Sequence, residues 1–354
     1  MPQQAVRYLV LWLTTACNAR CAYCYRGEIS PKTPQTMPTA IIDAALALAA
    51  RSGAPFHVQM AGGEPTLEPA LIAYTGEKVR GSHLPATMAI QTNGTRIDRR
   101  LTDICKRYGI DVGISIDGPP SVHERTRGQS ADAFQGLAHL AATDLPVRVT
   151  TVLTRENASH LDKLALALSG YKNVGGFGID VLIDKGRAHG NAALIPDEAQ
   201  VEAGTRELLE ALMYINRSRD QPLRWRELET VRESLQGTSS GVFRGSLHSG
   251  KNVRPYCHAC LGESLAVHPD GSVYPCAQTA GDRAAASGTV WEPDWSRLRR
   301  FYADVSLRGS CAQCQLGGRC PGDCPSRITY NTGQTAGIVC TIYRTIAACL
   351  IKKD

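Results

Sequence analysis

Short apolar stretches alternate with amphipathic ones over the first half of the chain, and this alternation limits the fold more than any other feature. Six stretches are predicted to be strands, at residues 6–13, 56–60, 87–94, 111–120, 147–153 and about 176–183. Helical periodicity separates them, at residues 38–51, 69–79, 98–108, 131–143 and 159–169. This spacing predicts a parallel sheet. Six units are fewer than the eight that close a barrel, so we expect an α/β fold with a partial (β/α)6 TIM-like barrel.

Chemically distinctive motifs follow the first four predicted strands. In chain order they are Cys17, Cys21 and Cys24, then Gly62-Gly63-Glu64-Pro65, then Asn93-Gly94, and then Ser115 in the sequence SIDG. Ligands of parallel α/β folds bind at the carboxyl ends of the strands. The four motifs therefore predict one site at that edge of the sheet.

The cysteine count indicates thiolate ligands in place of disulfides. The chain has 354 residues and thirteen cysteines, an odd number that disulfides cannot use up. The apolar run 8–13 is too short for a signal peptide, and no later run is long enough to span a membrane. These features predict a soluble, cytoplasmic protein. The net charge of +6 is spread along the chain, so neither a nucleic acid nor a membrane is expected as a partner.

Three cysteines spaced by three and then two residues have a specific chemical consequence. Three thiolates on a four-iron cluster leave one iron without a protein ligand, and an open metal site is typical of catalysis. Cys17, Cys21 and Cys24 thus predict a cluster that binds a small chelating molecule. Three structural thiols, or part of a zinc site, remain the alternatives.

The motif resembles the CxxxCxxC signature of the radical S-adenosylmethionine (SAM) superfamily, which usually has an aromatic residue where Tyr23 stands. The resemblance covers residues 7 to about 187. It implies a [4Fe-4S] cluster whose free iron is chelated by SAM, and reductive cleavage of SAM to a 5′-deoxyadenosyl radical that removes hydrogen from a substrate.

The same resemblance implies which residues contact SAM. They are Tyr23, Gly62, Gly63, Glu64, Asn93, Ser115 and Arg127. Glu64 is expected to face the amino group and Arg127 to pair with the carboxylate. Turn chemistry is the alternative for Asn93 and Ser115, and a surface charge for Arg127. Asp117 and His123 are interpreted as structural.

Nine of the thirteen cysteines lie at or after residue 257, and eight of them have the spacing of the SPASM extension of radical SAM enzymes. That resemblance assigns a first auxiliary [4Fe-4S] cluster to Cys257, Cys260, Cys276 and Cys324. It assigns a second to Cys311, Cys314, Cys320 and Cys340. Zinc sites held by four cysteines are the alternative. Cys105 and Cys349 are left over and are interpreted as buried small hydrophobes.

The predicted domains are a radical SAM partial barrel at 1–190, a helical bridge at 191–250 and a SPASM domain at 251–354. Residues 196–236 are expected to form one or two long amphipathic helices.

The two-cluster extension implies an enzyme that modifies a peptide or protein, most specifically a maturase of a ribosomal peptide that forms a crosslink, a thioether or an epimer. A small-molecule or cofactor precursor is the alternative substrate, and a non-catalytic electron carrier is the alternative function. Sulfatase maturation is a further alternative, weakened because Ala277 stands where that group has an aspartate. The first strand begins near residue 6, so leader recognition is expected from a separate protein or the catalytic domain. A flavodoxin or ferredoxin-like electron donor is expected, and no acid–base residue is identified.

Overall fold

The computed structural model describes residues 5–27, 33–236, 256–302, 314–316 and 320–351. The strands in these ranges are β1 (Tyr8–Thr14), β2 (Phe56–Gly62), β3 (Ala86–Thr92), β4 (Ile110–Ser115), β5 (Val147–Leu153), β6 (Val174–Val181), β7 (Arg224–Trp225), β8 (Ser264–Val267) and β9 (Val273–Tyr274). The helices are α1 (Thr39–Ala50), α2 (Pro69–Gly81), α3 (Arg99–Tyr108), α4 (Pro120–Thr126), α5 (Ser130–Ala141), α6 (Leu161–Ser169), α7 (Glu198–Ile215), α8 (Arg226–Gln236), α9 (Trp295–Arg300), α10 (Pro325–Tyr330) and α11 (Ile338–Ile351).

All of these strands belong to one sheet, in the order β7-β6-β5-β4-β3-β2-β1-β8-β9. Strands β1 to β6 stand side by side in chain order and are parallel. Within the described residues the sheet ends at β7 and β9 and does not close into a barrel. This sheet confirms the predicted α/β fold class with a partial barrel. The apolar periodicity of the sequence predicted the positions of its first six strands correctly.

The sheet is buried on both faces near its centre, as parallel sheets are when helices cover them. Leu9, Leu11 and Leu13 of β1 point into the main core beneath the helices. Val10 and Trp12 point to the opposite face and belong to a second buried cluster that includes Ala266 and Tyr274. The second cluster joins the start of the chain to its C-terminal third.

Local signals explain where the helices begin and end. The Asp98 side chain accepts a hydrogen bond from the backbone N–H of Leu101 and so caps α3. Gly109 ends the same helix in the left-handed conformation, with φ at 62°. Cys105 is fully buried between these ends, as its interpretation as a small hydrophobe requires.

The stretch 196–236 forms two helices, α7 and α8, joined by a turn and the short strand β7. The Asn216 side chain closes this turn, since its Oδ1 accepts from the Leu223 N–H at 2.8 Å and its Nδ2 donates to the Leu223 carbonyl at 3.2 Å. Pro222 cannot continue a helix from the residue before it. These two features explain why the stretch forms two helices, which is one of the two alternatives that the sequence pattern allows.

The C-terminal third extends the main sheet, which the sequence pattern does not predict. Strand β8 is parallel to β1, with Tyr8 opposite Ser264 and Leu11 opposite Val267, and β9 returns antiparallel to β8. Helix α11 packs on α7 and α8. The Asn331 side chain also fastens this region to the end of β6, where it bonds the Leu182 carbonyl and the Asp184 N–H at 2.9 Å each.

Among the described residues, no helix combines the length and the apolar character needed to cross a bilayer.

Candidate active site

The three-cysteine loop follows β1 at the carboxyl edge of the sheet, and its three thiols are half-buried. Two neighbouring segments hold its backbone. The Ala22 N–H donates to the Thr126 carbonyl, and the Cys24 carbonyl accepts from the Arg187 N–H, both at 2.9 Å. Burial raises the pKa of Cys17 to about 11, because a thiolate loses water there. A bound cation is therefore needed to hold the Cys17 sulfur as a thiolate near neutral pH.

The end of β2 lies against this loop at a distance that only glycine allows. The Gly63 N–H donates to the Thr14 carbonyl and the Glu64 N–H to the Ala16 carbonyl, each at 2.8 Å. A Cβ on Gly63 would overlap the Ala16 carbonyl oxygen. Gly62 has φ at 138°, a conformation that residues with a side chain rarely adopt. Both glycines are thus required by the position of the cysteine loop.

Glu64 is 1% exposed and joins the ends of β2 and β3. Its Oε1 accepts from the hydroxyls of Thr66 and Thr92 at 2.6 Å each, and its Oε2 accepts from the Asn93 N–H at 2.7 Å. Burial raises the pKa of the Glu64 carboxyl, and these hydrogen bonds oppose the rise. The carboxylate is therefore held rigidly at the site, while its contact with an ammonium remains a prediction.

Asn93 belongs to a network that the sequence analysis missed. Its Nδ2 donates to Asn18 Oδ1 at 2.9 Å, and the Asn18 Nδ2 donates to Thr95 Oγ1 at 2.8 Å. Asn18 lies between the first two cysteines, so this network ties the cysteine loop to the end of β3. The polar residue inside the motif was the available signal, but its partner is 75 positions away in the chain.

Ser115 ends β4 and is 8% exposed. Its Oγ accepts from Gln91 Nε2 at 2.9 Å, which holds the side chain at the same edge of the sheet as Glu64 and Asn93. The structure therefore places these predicted contact residues at the edge of the sheet where the cysteine loop also lies.

Arg127 and Tyr23 both contact Asp117, which the sequence pattern indicates only as a structural residue. The Arg127 Nε lies 2.9 Å from Asp117 Oδ2, and the Tyr23 hydroxyl donates to the same oxygen. The Arg127 guanidinium also lies over the Tyr23 ring, with its carbon 5.3 Å from the ring centroid. Arg127 is nearly buried, so the alternative of a freely solvated surface charge does not describe it.

The described C-terminal cysteines lie in two surroundings. Cys257 and Cys260 have their sulfurs 3.9 Å apart, and Cys276 Sγ lies 3.2 Å from Ser326 Oγ, two positions after Cys324. Cys314, Cys320 and Cys340 instead pack against the edge of the main core, as Cys349 also does. Cys311 lies outside the described residues.

Within the described ranges, no three His, Cys, Asp or Glu side chains converge as they would around a single metal ion. The thiolates of a four-iron cluster stand farther apart than the ligands of one ion, since each binds a different iron. The half-buried thiols of the cysteine loop are suited to that arrangement.

Sequence comparison relates the N-terminal part of the chain to a known superfamily. Residues 13–168 match the family model of the radical SAM superfamily. The uncharacterized protein MJ0907 of Methanocaldococcus jannaschii is 26% identical over 224 residues, covering 61% of this chain and 76% of the relative. The mycofactocin maturase MftC of Mycobacterium tuberculosis is 31% identical over 174 residues, and the match covers 45% of this chain and 41% of MftC. The GTP 3′,8-cyclase of Chlorobaculum tepidum is 33% identical over 162 residues, and the match covers 43% of this chain and 46% of the cyclase. The chain thus spans less than half the length of the latter two.

Solved structures share the fold over nearly the whole chain. Native anSMEcpe with bound AdoMet and Cp18Cys peptide has a TM-score of 0.77 at 20% identity, covering 98% of this chain and 97% of that one. Streptococcus suis SuiB bound to precursor peptide SuiA has a TM-score of 0.65 at 15% identity, covering 94% and 75%.

The cysteine loop, the close-packed glycines and the family match agree on one assignment. Three half-buried thiols in one loop are suited to the cluster of this superfamily. Residues 13–168 thus match the domain of the radical SAM superfamily, for which SAM and a [4Fe-4S] cluster are the cofactors.

Proposed function

We propose that the protein is a radical SAM enzyme that modifies a ribosomally made peptide. The observation that carries the proposal is the close fit of the Gly62-Gly63-Glu64 segment against the three-cysteine loop, at one edge of the sheet. When bound, the cluster and SAM supply a 5′-deoxyadenosyl radical that removes a hydrogen atom from the substrate. The chain's own residues bind and orient SAM.

Each predicted contact residue has a role in that binding. The backbone around Gly62, Gly63 and Glu64 receives the amino group of SAM, and Arg127 pairs with its carboxylate. Asn93 and Ser115 provide polar side chains at the ends of β3 and β4. Tyr23 packs beside Arg127 and fixes the cysteine loop. These roles are supported by the shared location of the residues.

The C-terminal region supports a peptide as the substrate. Structures of anSMEcpe with a Cp18Cys peptide and of SuiB with its precursor peptide SuiA share the fold of at least 94% of this chain, which includes that region. MftC is named as a maturase, although its match covers only 45% of this chain. We infer that the product is a crosslink, a thioether or an epimer of a peptide.

We further propose that the C-terminal region is a SPASM domain with two auxiliary [4Fe-4S] clusters. Cys257, Cys260, Cys276 and Cys324 would hold the first, which the proximity of Cys257 to Cys260 supports. Cys311, Cys314, Cys320 and Cys340 would hold the second. A flavodoxin or ferredoxin-like protein would supply the electron, and a separate protein would recognise a leader peptide. Residues 1–190, 191–250 and 251–354 are the corresponding domains.

A small-molecule substrate is the second candidate, favoured by the GTP 3′,8-cyclase relative. That match is confined to less than half of this chain. Sulfatase maturation is less well supported, because Ala277 follows Cys276 where an acidic residue is expected.

Co-expression with short peptides encoded beside this protein tests the proposal. Mass spectrometry of the recovered peptide is expected to show a mass lower by two hydrogens for a crosslink or thioether, or an unchanged mass with altered stereochemistry for an epimer. Unmodified peptides, together with turnover of a nucleotide, would support the second candidate instead.

A further inference from the structure

We infer that Asp117 is a positioning residue that sets the placement of Arg127 relative to the cysteine loop, and that SAM affinity depends on it through Arg127. The inference rests on the proposed pairing of Arg127 with the SAM carboxylate. Asp117 follows β4 by two positions and is fully buried.

Three polar groups from different parts of the chain contact the Asp117 carboxylate. Oδ2 faces both the Tyr23 hydroxyl of the cysteine loop and the Arg127 Nε at the end of α4. Oδ1 accepts from the Val152 N–H of β5 at 3.0 Å. One oxygen thus links the cysteine loop to Arg127, and the other fixes the carboxylate to the sheet.

The backbone of Asp117 is held as firmly as its side chain. The Asn157 Nδ2 donates to the Asp117 carbonyl at 2.9 Å, and the Asp117 N–H donates to His123 Nδ1 at 3.4 Å. His123 lies on α4 one turn before Arg127, so the helix that carries the arginine is also anchored at this point. A buried carboxylate with so many fixed partners cannot shift to follow a misplaced arginine.

Arg127 retains donors for a ligand after it has paired with Asp117. Its side chain is 11% exposed, and its ion pair with Asp117 is made through Nε, which leaves the two terminal nitrogens outside that contact. Those nitrogens form the fork that recognises a carboxylate. Because Asp117 occupies the Nε side, it determines the direction in which the fork can point.

Asparagine at position 117 would have nearly the same shape but only one acceptor oxygen. It cannot accept from the Val152 N–H on one side and from Tyr23 and Arg127 on the other. We therefore expect Asp117→Asn to weaken SAM binding roughly tenfold, the size typical of losing a charged hydrogen bond. Arg127→Gln removes the fork, so adding Asp117→Asn to it should weaken binding no further.

The experiment measures the Kd of radiolabelled SAM by equilibrium dialysis against the anaerobically reconstituted holoenzyme. The variants are Asp117→Asn, Arg127→Gln and the double variant. The thermal unfolding midpoint of each variant is also measured, to show that it is folded. The matched control is Glu156→Gln, which breaks another carboxylate–arginine pair, with Arg125 of α4 at 2.7 Å, and should leave the Kd unchanged. If the wild-type holoenzyme does not bind SAM, the proposed function fails.

Given binding by the wild type, non-additive losses in the double variant support the inference. An unchanged Kd in Asp117→Asn, or losses that simply add, would overturn it and assign Asp117 to stability alone. If Asp117→Asn does not fold, Tyr23→Phe takes its place, because it removes one donor and keeps the carboxylate. We then expect a several-fold loss of affinity that disappears in the Arg127→Gln background, and an unchanged Kd would again overturn the inference.

Discussion

The backbone N–H of Glu64 donates a 2.8 Å hydrogen bond to the carbonyl of Ala16, the residue before the first cysteine of the loop. This bond fastens the end of β2 to the cysteine loop. The same end of β2 is joined to β3 by the Glu64 carboxylate. The loop, β2 and β3 are therefore joined by hydrogen bonds through Glu64, and a change at their contact should reach the thiols.

Gly63→Ala tests that contact. The new Cβ would lie 1.8 Å from the Ala16 carbonyl oxygen, and because real Cβ contacts are not shorter than 3.0 Å, the backbone here must move by more than an ångström. We expect formation of 5′-deoxyadenosine, followed by liquid chromatography, to fall by about 100-fold, the usual effect of displacing a reacting group. Gly175→Ala is the matched control, since a Cβ there meets nothing within 4 Å. Equal activities in the two variants would refute the argument.

Substitution of the loop cysteines should separate the proposed clusters. Cys17→Ala, Cys21→Ala or Cys24→Ala is expected to abolish SAM cleavage and to lower the iron content from about twelve to about eight per chain. Cys105→Ala should leave the iron content unchanged, because that thiol is buried in the core and has no ligand role. SAM cleavage that survives in any loop variant would contradict the assignment.

Paired substitution in the C-terminal region tests the first auxiliary cluster. Cys257→Ala combined with Cys276→Ala removes two of its four proposed ligands. About four irons should be lost, while the loop cluster still cleaves SAM in the presence of dithionite. An unchanged iron content, or zinc found in place of the missing iron, would remove this cluster from the account.

The buried His123 should make the fold sensitive to acid. Burial and the nearby Arg127 lower its pKa to about 4 from an ordinary value of 6.5. Below pH 6.5 the unfolded chain therefore binds a proton that the folded chain does not, and stability falls. From pH 7.5 to 5.5 this costs about 1.4 kcal/mol of unfolding free energy.

Urea unfolding of the wild type and of His123→Gln over that range measures the effect. The variant should lose about 1.4 kcal/mol less than the wild type, because glutamine does not titrate. Identical pH dependence in wild type and His123→Gln would show that another group controls acid sensitivity.

The sequence predicted those features that depend on local pattern. The six parallel strands followed from apolar periodicity, and the glycines of the β2 end followed from their position after a strand. Pairing between strands that are distant in the chain could not be predicted from local pattern. Strand β8 lies beside β1 although more than 250 residues separate them, and two-residue β7 is too short to show any periodicity.

The candidate site shows the same division. Residues inside a motif, such as Glu64 and Ser115, were located at the strand ends as predicted. Asp117 was assigned no functional part, because its role depends on a hydroxyl 94 positions earlier in the chain. Asn18 was missed for the same reason, since its partners Asn93 and Thr95 follow a different strand.

The most direct test of the account is electron paramagnetic resonance of the dithionite-reduced, reconstituted protein before and after SAM is added. Binding of SAM to the open iron of the loop cluster is predicted to shift the g-values of one reduced [4Fe-4S] signal, and Cys17→Ala should lack both that signal and its shift. A spectrum that SAM leaves unchanged would contradict the central claim that this loop holds a cluster with a site for SAM.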